Sequence, residues 1–127
     1  MAKEENAQER DIRESTEREA AEKKVFADCQ AQYGDCGRYR LKDKTFVVVR
    51  ACKDVERIRF MTELSSKQTE KLGPAGPHKT FALTVMAHPS DDAAKLSILG
   101  KYPFFAETVC TKAIELSEGQ AEDLGNG

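Results

Sequence analysis

The chain reads as an α+β protein in which a small β-hairpin packs against several helices. Three observations predict this. Cys36–Leu41 and Thr45–Ala51, CGRYRL and TFVVVRA, are extended runs joined only by Lys42-Asp43-Lys44, and so short a polar link makes an antiparallel hairpin. On both sides of that hairpin, apolar residues recur at the helical period. Prolines then divide the stretch from Thr80 to Gly119 into three short helices, separated at His88-Pro89-Ser90 and Tyr102-Pro103.

Residues 1–24 form a charged N-terminal arm, and from Lys3 to Lys24 its only sizeable apolar residue is Ile12. Opposite charges lie at helical spacing in Arg10 with Glu14, Glu9 with Arg13 and Glu14 with Arg18, and such pairs each support a helix by about 0.2–0.5 kcal/mol. Without an apolar stripe, this helix either stands solvated and frayed or orders on a partner. The packed domain is placed at residues 25–119, with its first helix approached from Ala21. There Val25, Phe26, Cys29 and Tyr33 share one side and Gly34 supplies the stop.

After the hairpin, a helix is predicted over Lys53–Lys71 with Val55, Ile58, Met61, Thr62 and Leu64 as its apolar set. Asp54 and Glu56 sit at its positive N-terminal end. LGPAGPHK breaks it, either as a plain connector or as an exposed contact loop. The next helix carries Phe81, Leu83, Val85 and Met86 round most of its circumference, as a central core helix does. Ser90 is placed to cap the following helix, with Asp91 and Asp92 in its first turn. Pro103 is placed to open the last helix, on which Phe105, Val109, Ala113 and Leu116 form one stripe. Phe104 and Phe105 are adjacent and cannot both face one core, so either one is exposed for a partner or both sit at a core edge. Residues 120–127 carry too little apolar content to pack and read as a flexible tail.

Composition narrows the function. A chain of 127 residues, 39% hydrophobic and 33% charged, suits one domain with a modest core and excludes a large multidomain enzyme. A formal net charge of -2 offers no general attraction to phosphate backbones, so nucleic acid is not an expected partner. No apolar run approaches the roughly 20 residues that span a bilayer, and MAKEENAQERDIREST is too acidic and polar for a signal peptide. No membrane is expected, and the location read from this is a cytoplasm. There Cys29, Cys36, Cys52 and Cys110 would be reduced, and lacking any two-residue gap they read as small buried hydrophobes.

Chemistry finds little support. Cys29, Cys36, His78 and His88 could form a metal set only without any recognised ligand spacing, so neither metal nor cofactor is expected. His78 in a Gly-Pro loop and His88 before Pro89 have no signature of a nearby nucleophile. Asp91-Asp92 is explained by helix N-terminal charge, and LGPAGPHK lacks the spacing of a nucleotide loop. No catalytic residue is assigned, and the expected work is packing and partner binding.

The Tyr33-Gly34 stop, TFVVVRA ending near Arg50, the helix opening KDVERIRFM, AHPSDDAAKL and KYPFFAETVCTKAIELSEG, taken in that order, resemble bacteriophage tail assembly chaperones. The resemblance covers about Val25 to Gly119. It departs at Ala51-Cys52-Lys53, where the family often has a proline-containing junction. The resemblance implies a small non-enzymatic protein of the infected host's cytoplasm that binds the tape measure protein, helps tail tube protein polymerise around it, forms homo-oligomers and leaves before the virion is complete. The competing reading is a permanent structural component of a phage tail or baseplate. Partner contact is placed on apolar helix faces, with Ile12, Phe81, Val85, Phe104 and Phe105 as candidate positions.

Overall fold

The computed structural model describes residues 6–65 and 76–119. Along them run α1 (Ala7–Tyr33), β1 (Cys36–Arg40), β2 (Phe46–Arg50), α2 (Asp54–Ser65), α3 (Gly76–Val85), β3 (Met86–His88), α4 (Asp92–Lys101) and α5 (Phe105–Glu118). The α+β architecture read from the sequence is the one observed. The last part of the helix expected over Lys53–Lys71, the first half of the LGPAGPHK breaker and the C-terminal tail lie outside the described residues, whereas the second half of that breaker, Gly76 to Lys79, is not a loop but the first turn of α3.

The middle strand organises everything else. Val47, Val48 and Val49 of β2 are fully buried, and alternation along the strand sends them to opposite faces. Val47 and Val49 join the main core with Phe60, Phe81, Val85, Leu99 and Val109. Val48 joins Cys29 and Cys36 in a smaller cluster flanked by Val25, Phe26 and Phe46. The sheet is thus covered by α1 on one face and by the other helices on the opposite one. A strand buried on both faces needs a continuous apolar run rather than an alternating one.

On one side of β2, β1 pairs antiparallel in a register that puts Gly37 opposite Val49 and Tyr39 opposite Val47. The link closes through Leu41 N–H to Thr45 O and Lys44 N–H to Leu41 O, both 2.9 Å. Gly37 lies against Lys112 of α5, and a Cβ there would fall 2.7 Å from Lys112 Cε, so that long side chain would have to move aside. On the other side of β2 lies β3, antiparallel, with Val48 opposite His88 and a register shift before the Val49–Met86 pair. The hairpin expected from the sequence is therefore part of a three-stranded sheet of order β1-β2-β3. Met86, expected on the helix, is a strand residue. Three residues interrupted by a proline carry too little β pattern to read, and the open edge of β2 selects them by offering unpaired backbone groups.

α1 is one continuous helix of 27 residues, about 40 Å long. It starts at Asn6, whose side chain accepts the Glu9 N–H at 2.7 Å, and stops at Gly34, which takes a positive φ of 85°. No break falls at Lys24. The charged arm and the first packed helix are one element, exposed over its first part and half-buried from Glu22, which pairs with Arg40 of β1.

In the helical layer, α3 buries Pro77, Phe81, Ala82 and Val85 against Ala106, Val109, Cys110 and Ala113 of α5. Two local expectations shift by a residue or two. The cap of α4 is Asp91 rather than Ser90, its carboxylate accepting the Ala94 N–H at 3.0 Å. Pro103 lies in the turn before α5, whose first helical residue is Phe105. Asp outcompetes the neighbouring Ser because a carboxylate also complements the positive end of the helix.

Val109 has no solvent exposure whereas Leu116, on the same predicted stripe, is only half-buried. Val109→Asp should therefore unfold the domain, since an unpaired buried carboxylate costs several kcal/mol against a total of about 5–15. Leu116→Asp should cost no more than about 2 kcal/mol. Urea unfolding followed by circular dichroism separates the two, and equal losses would mean that the α5 stripe is centred elsewhere.

Candidate functional site

α2 begins where β2 ends, and one side chain spans the junction. Arg50 grips Glu56 through a two-pronged ion pair, Nη1 to Oε1 at 2.8 Å and Nη2 to Oε2 at 2.7 Å. The same guanidinium donates to Ala51 O at 3.0 Å and to Thr84 O at 3.1 Å, and lies 5.7 Å from the centre of the Tyr33 ring. Glu56 in turn accepts the Lys53 N–H at 2.8 Å, satisfying a donor at the start of α2 as the acidic half of a capping box does. The guanidinium hydrogen bond holds the Glu56 carboxyl below its usual range, against the opposing effect of burial.

This pair sets how α2 is turned about its axis. With Glu56 tied inward, residues four and eight positions on, Phe60 and Leu64, meet the core. Phe60 stacks on Phe81 at 4.4 Å and takes His78 edge-on at 5.2 Å. The opposite face then points to solvent: Val55 is 76% exposed, Ile58 60% and Met61 51%. Thr62 is exposed beside them. The stripe read from the sequence as core-facing is therefore, Leu64 excepted, the outer face. Asp54 with Arg57 at 3.6 Å and Arg59 with Glu63 at 3.2 Å flank it. An apolar stripe with a charged rim is the form of a helix-in-groove contact.

The five positions assigned to partner contact fall in different places. Phe81 and Val85 are buried at 4% and 0% exposure and belong to the core, because α3 is enclosed by the sheet, α2 and α5. No partner reaches them while the domain is folded. Phe104 is 84% exposed at the turn before α5, while Phe105 turns inward and meets Tyr39 edge-on at 5.5 Å. Ile12 is exposed on the first half of α1. Val55, Ile58 and Met61 were absent from that set because a helix with two apolar sides does not declare which is buried. The signal was Glu56, three residues beyond Lys53 and within reach of the arginine that ends β2.

The remaining reactive groups are placed for packing. All four cysteines are unpaired and buried. Burial raises the thiols of Cys29 and Cys36 and pushes Cys110 up to about 12, away from the thiolate that a nucleophile requires. His88 is lowered by burial and lies edge-on to Phe46 at 6.2 Å, in the cluster beneath α1, whereas His78 sits in the helical layer. Among the described residues, no three His, Cys, Asp or Glu side chains gather where they could hold a metal ion. A cleft of about 890 Å³ is lined by Tyr33, Arg50, Lys53, Lys95 and Ser117 among others. Its two least exposed cations are occupied in closing α3: Lys95 donates to Leu83 O at 2.9 Å, as Arg50 does to Thr84 O, on a helix with no basic residue of its own in the last turn.

No family model matches the chain, and no curated protein or solved structure matches it significantly.

Because its folded pKa is depressed, Glu56 contributes stability above the unfolded carboxyl pKa, and that contribution is lost as pH falls through the folded value. Glu56→Gln should cost about 2 kcal/mol at pH 7, the worth of hydrogen bonds to a charged group. The gap between wild type and variant should close as the solution is acidified from the unfolded glutamate pKa of about 4.3 down through the depressed folded value, where the carboxyl takes up its proton. Urea melts across this range measure it, and a gap that does not change with pH would remove the ion pair from the account.

Proposed function

We propose that this chain is a non-enzymatic tail assembly chaperone, which binds helical segments of a tape measure protein and assists tail tube protein to polymerise around it. The resemblance of TFVVVRA, KDVERIRFM, AHPSDDAAKL and KYPFFAETVCTKAIELSEG to that family suggests the class. The observation that carries the reading is the outer face of α2, where Val55, Ile58 and Met61 stay in solvent although the opposite side of the same helix is built into the core.

A tape measure protein is long and helical, so its exposed apolar stripes need cover until the tube encloses them. One narrow stripe on a rigid helix gives a weak contact, and many copies along one partner add avidity without a tight individual site. Weak individual contacts also leave release easy as tube subunits arrive. Chaperones of this kind act in the host cytoplasm as oligomers and leave the finished particle. A permanent tail or baseplate subunit is the competing reading, and the long exposed half of α1 favours it by offering a strut between neighbours.

Co-expression with the tape measure protein tests the proposal. Ile58→Asp and Met61→Asp should abolish co-purification while leaving the melting temperature nearly unchanged, since exposed substitutions stay within about 0.5 kcal/mol. Wild-type binding should survive about 1 M salt, where the Debye length shrinks to about 3 Å, because the contact is apolar. Loss through Ile12→Asp alone would move recognition to α1. Purified particles containing the chain in fixed stoichiometry would favour the structural subunit.

A further inference from the structure

The outer face of α1 carries a charge pattern that the fold leaves unused. Val25 and Cys29 hold the C-terminal half of this helix on the sheet, and Glu22 ties the same side to Arg40 of β1. On the side turned away, Ile12, Thr16 and Ala20 follow one another at four-residue steps. Glu9 and Arg13 stand beside this seam towards the N-terminus, and Glu19 and Lys23 towards the C-terminus. All seven residues are exposed.

Charge along the helix is antisymmetric about Thr16. Counting outward from that residue, Glu9 mirrors Lys23, Arg10 mirrors Glu22, Arg13 mirrors Glu19 and Glu14 mirrors Arg18. No mirror pair between Glu9 and Lys23 is of like charge, and the bulky Ile12 mirrors the small Ala20.

We infer that this face pairs antiparallel with the same face of a second copy, about a two-fold axis at Thr16. Each Ile12 then lies level with the second copy's Ala20, each Glu9 with its Lys23 and each Arg13 with its Glu19. The same charges oppose the alternatives. A parallel pair sets every charge level with its own copy, and a slip of one turn either way sets Glu9 level with Glu19 or Arg13 level with Lys23. Within one chain, Arg13 reaches Glu17 at 3.5 Å and Asn6 donates to Glu9 at 3.4 Å, both exposed contacts too weak to fix these side chains. The two domains hang at opposite ends of the pair, on the far sides of their helices. From Glu9 to Lys23 the contact runs about 22 Å, and it is narrow, so the association is weak and sensitive to salt. A patch that meets its own copy closes at two chains. The inference rests on the charges of α1 and is independent of the chaperone reading.

Sedimentation equilibrium of the full chain tests it. Mass should rise with concentration towards two chains and no further, and should fall as salt is raised. Arg13→Glu alone and Glu19→Arg alone should each weaken association by about tenfold or more, with circular dichroism and thermal melts close to wild type. An equimolar mixture of those two variants should recover it, because each then meets opposite charge. Orientation is read by thiols, since the native cysteines are buried. Mild oxidation should join Ile12→Cys chains to Ala20→Cys chains, but not Ile12→Cys chains to one another, whose thiols stand eight residues or about 12 Å apart along the pair. A single chain at every concentration would overturn the inference, as would association indifferent to both charge reversals. Efficient joining of Ile12→Cys chains to one another would overturn it too, by showing a parallel pair.

Discussion

The grip of Arg50 on Glu56 is the interaction on which most of this structure depends. It joins the end of the central strand to the start of α2, and the same guanidinium reaches the last turn of α3 and the ring that closes α1. Four elements thus share one planar cation. A planar fork with five donors can do this where an ammonium could not, because each donor has a fixed direction. The pair is also sheltered, with side-chain exposures of 12% and 19%, so water competes weakly for it. Its cost in desolvation is offset by the number of acceptors it satisfies at once, including the Thr84 carbonyl in the last turn of α3.

Much of the fold was legible in the sequence because local and long-range demands agreed. The valine run of β2 announces a strand buried on both sides, Gly34 ends α1 as only a residue tolerant of positive φ does comfortably, and the proline-bounded pieces after Thr80 are helices in the predicted order. Legibility failed where the deciding partner was remote. Met86–His88 becomes a strand only because β2 has an open edge, a fact no window around residue 86 contains. Likewise α2 has two apolar sides, and the choice between them is made by Arg50. Phe81 and Val85 were read as contact positions from the same all-round apolar character that in fact marks them as central.

The outcome for the surface is informative in its own right. Among the described residues, the large apolar side chains left in solvent are distributed over several elements: one side of α2, the turn bearing Phe104, both ends of α1 with Ile12 and Tyr33, and Leu96 of α4. None sits in a deep enclosed pocket with convergent polar groups, the usual form of a small-molecule site. Exposed apolar side chains held on ordered helices lose little conformational freedom when covered, so even narrow stripes can give useful affinity.

The continuity of α1 has a consequence for its exposed half. An isolated helix of that composition would be marginal in water, because fixing the first turn is unfavourable and no apolar face repays it. Here the first turn is already supplied: Val25, Phe26 and Cys29 hold the C-terminal half on the sheet, and the charged half grows from a template. Nucleation by the folded domain therefore makes the arm's helicity a property of the whole protein. Its residues report, by how far they fray, on the integrity of the cluster around Val48.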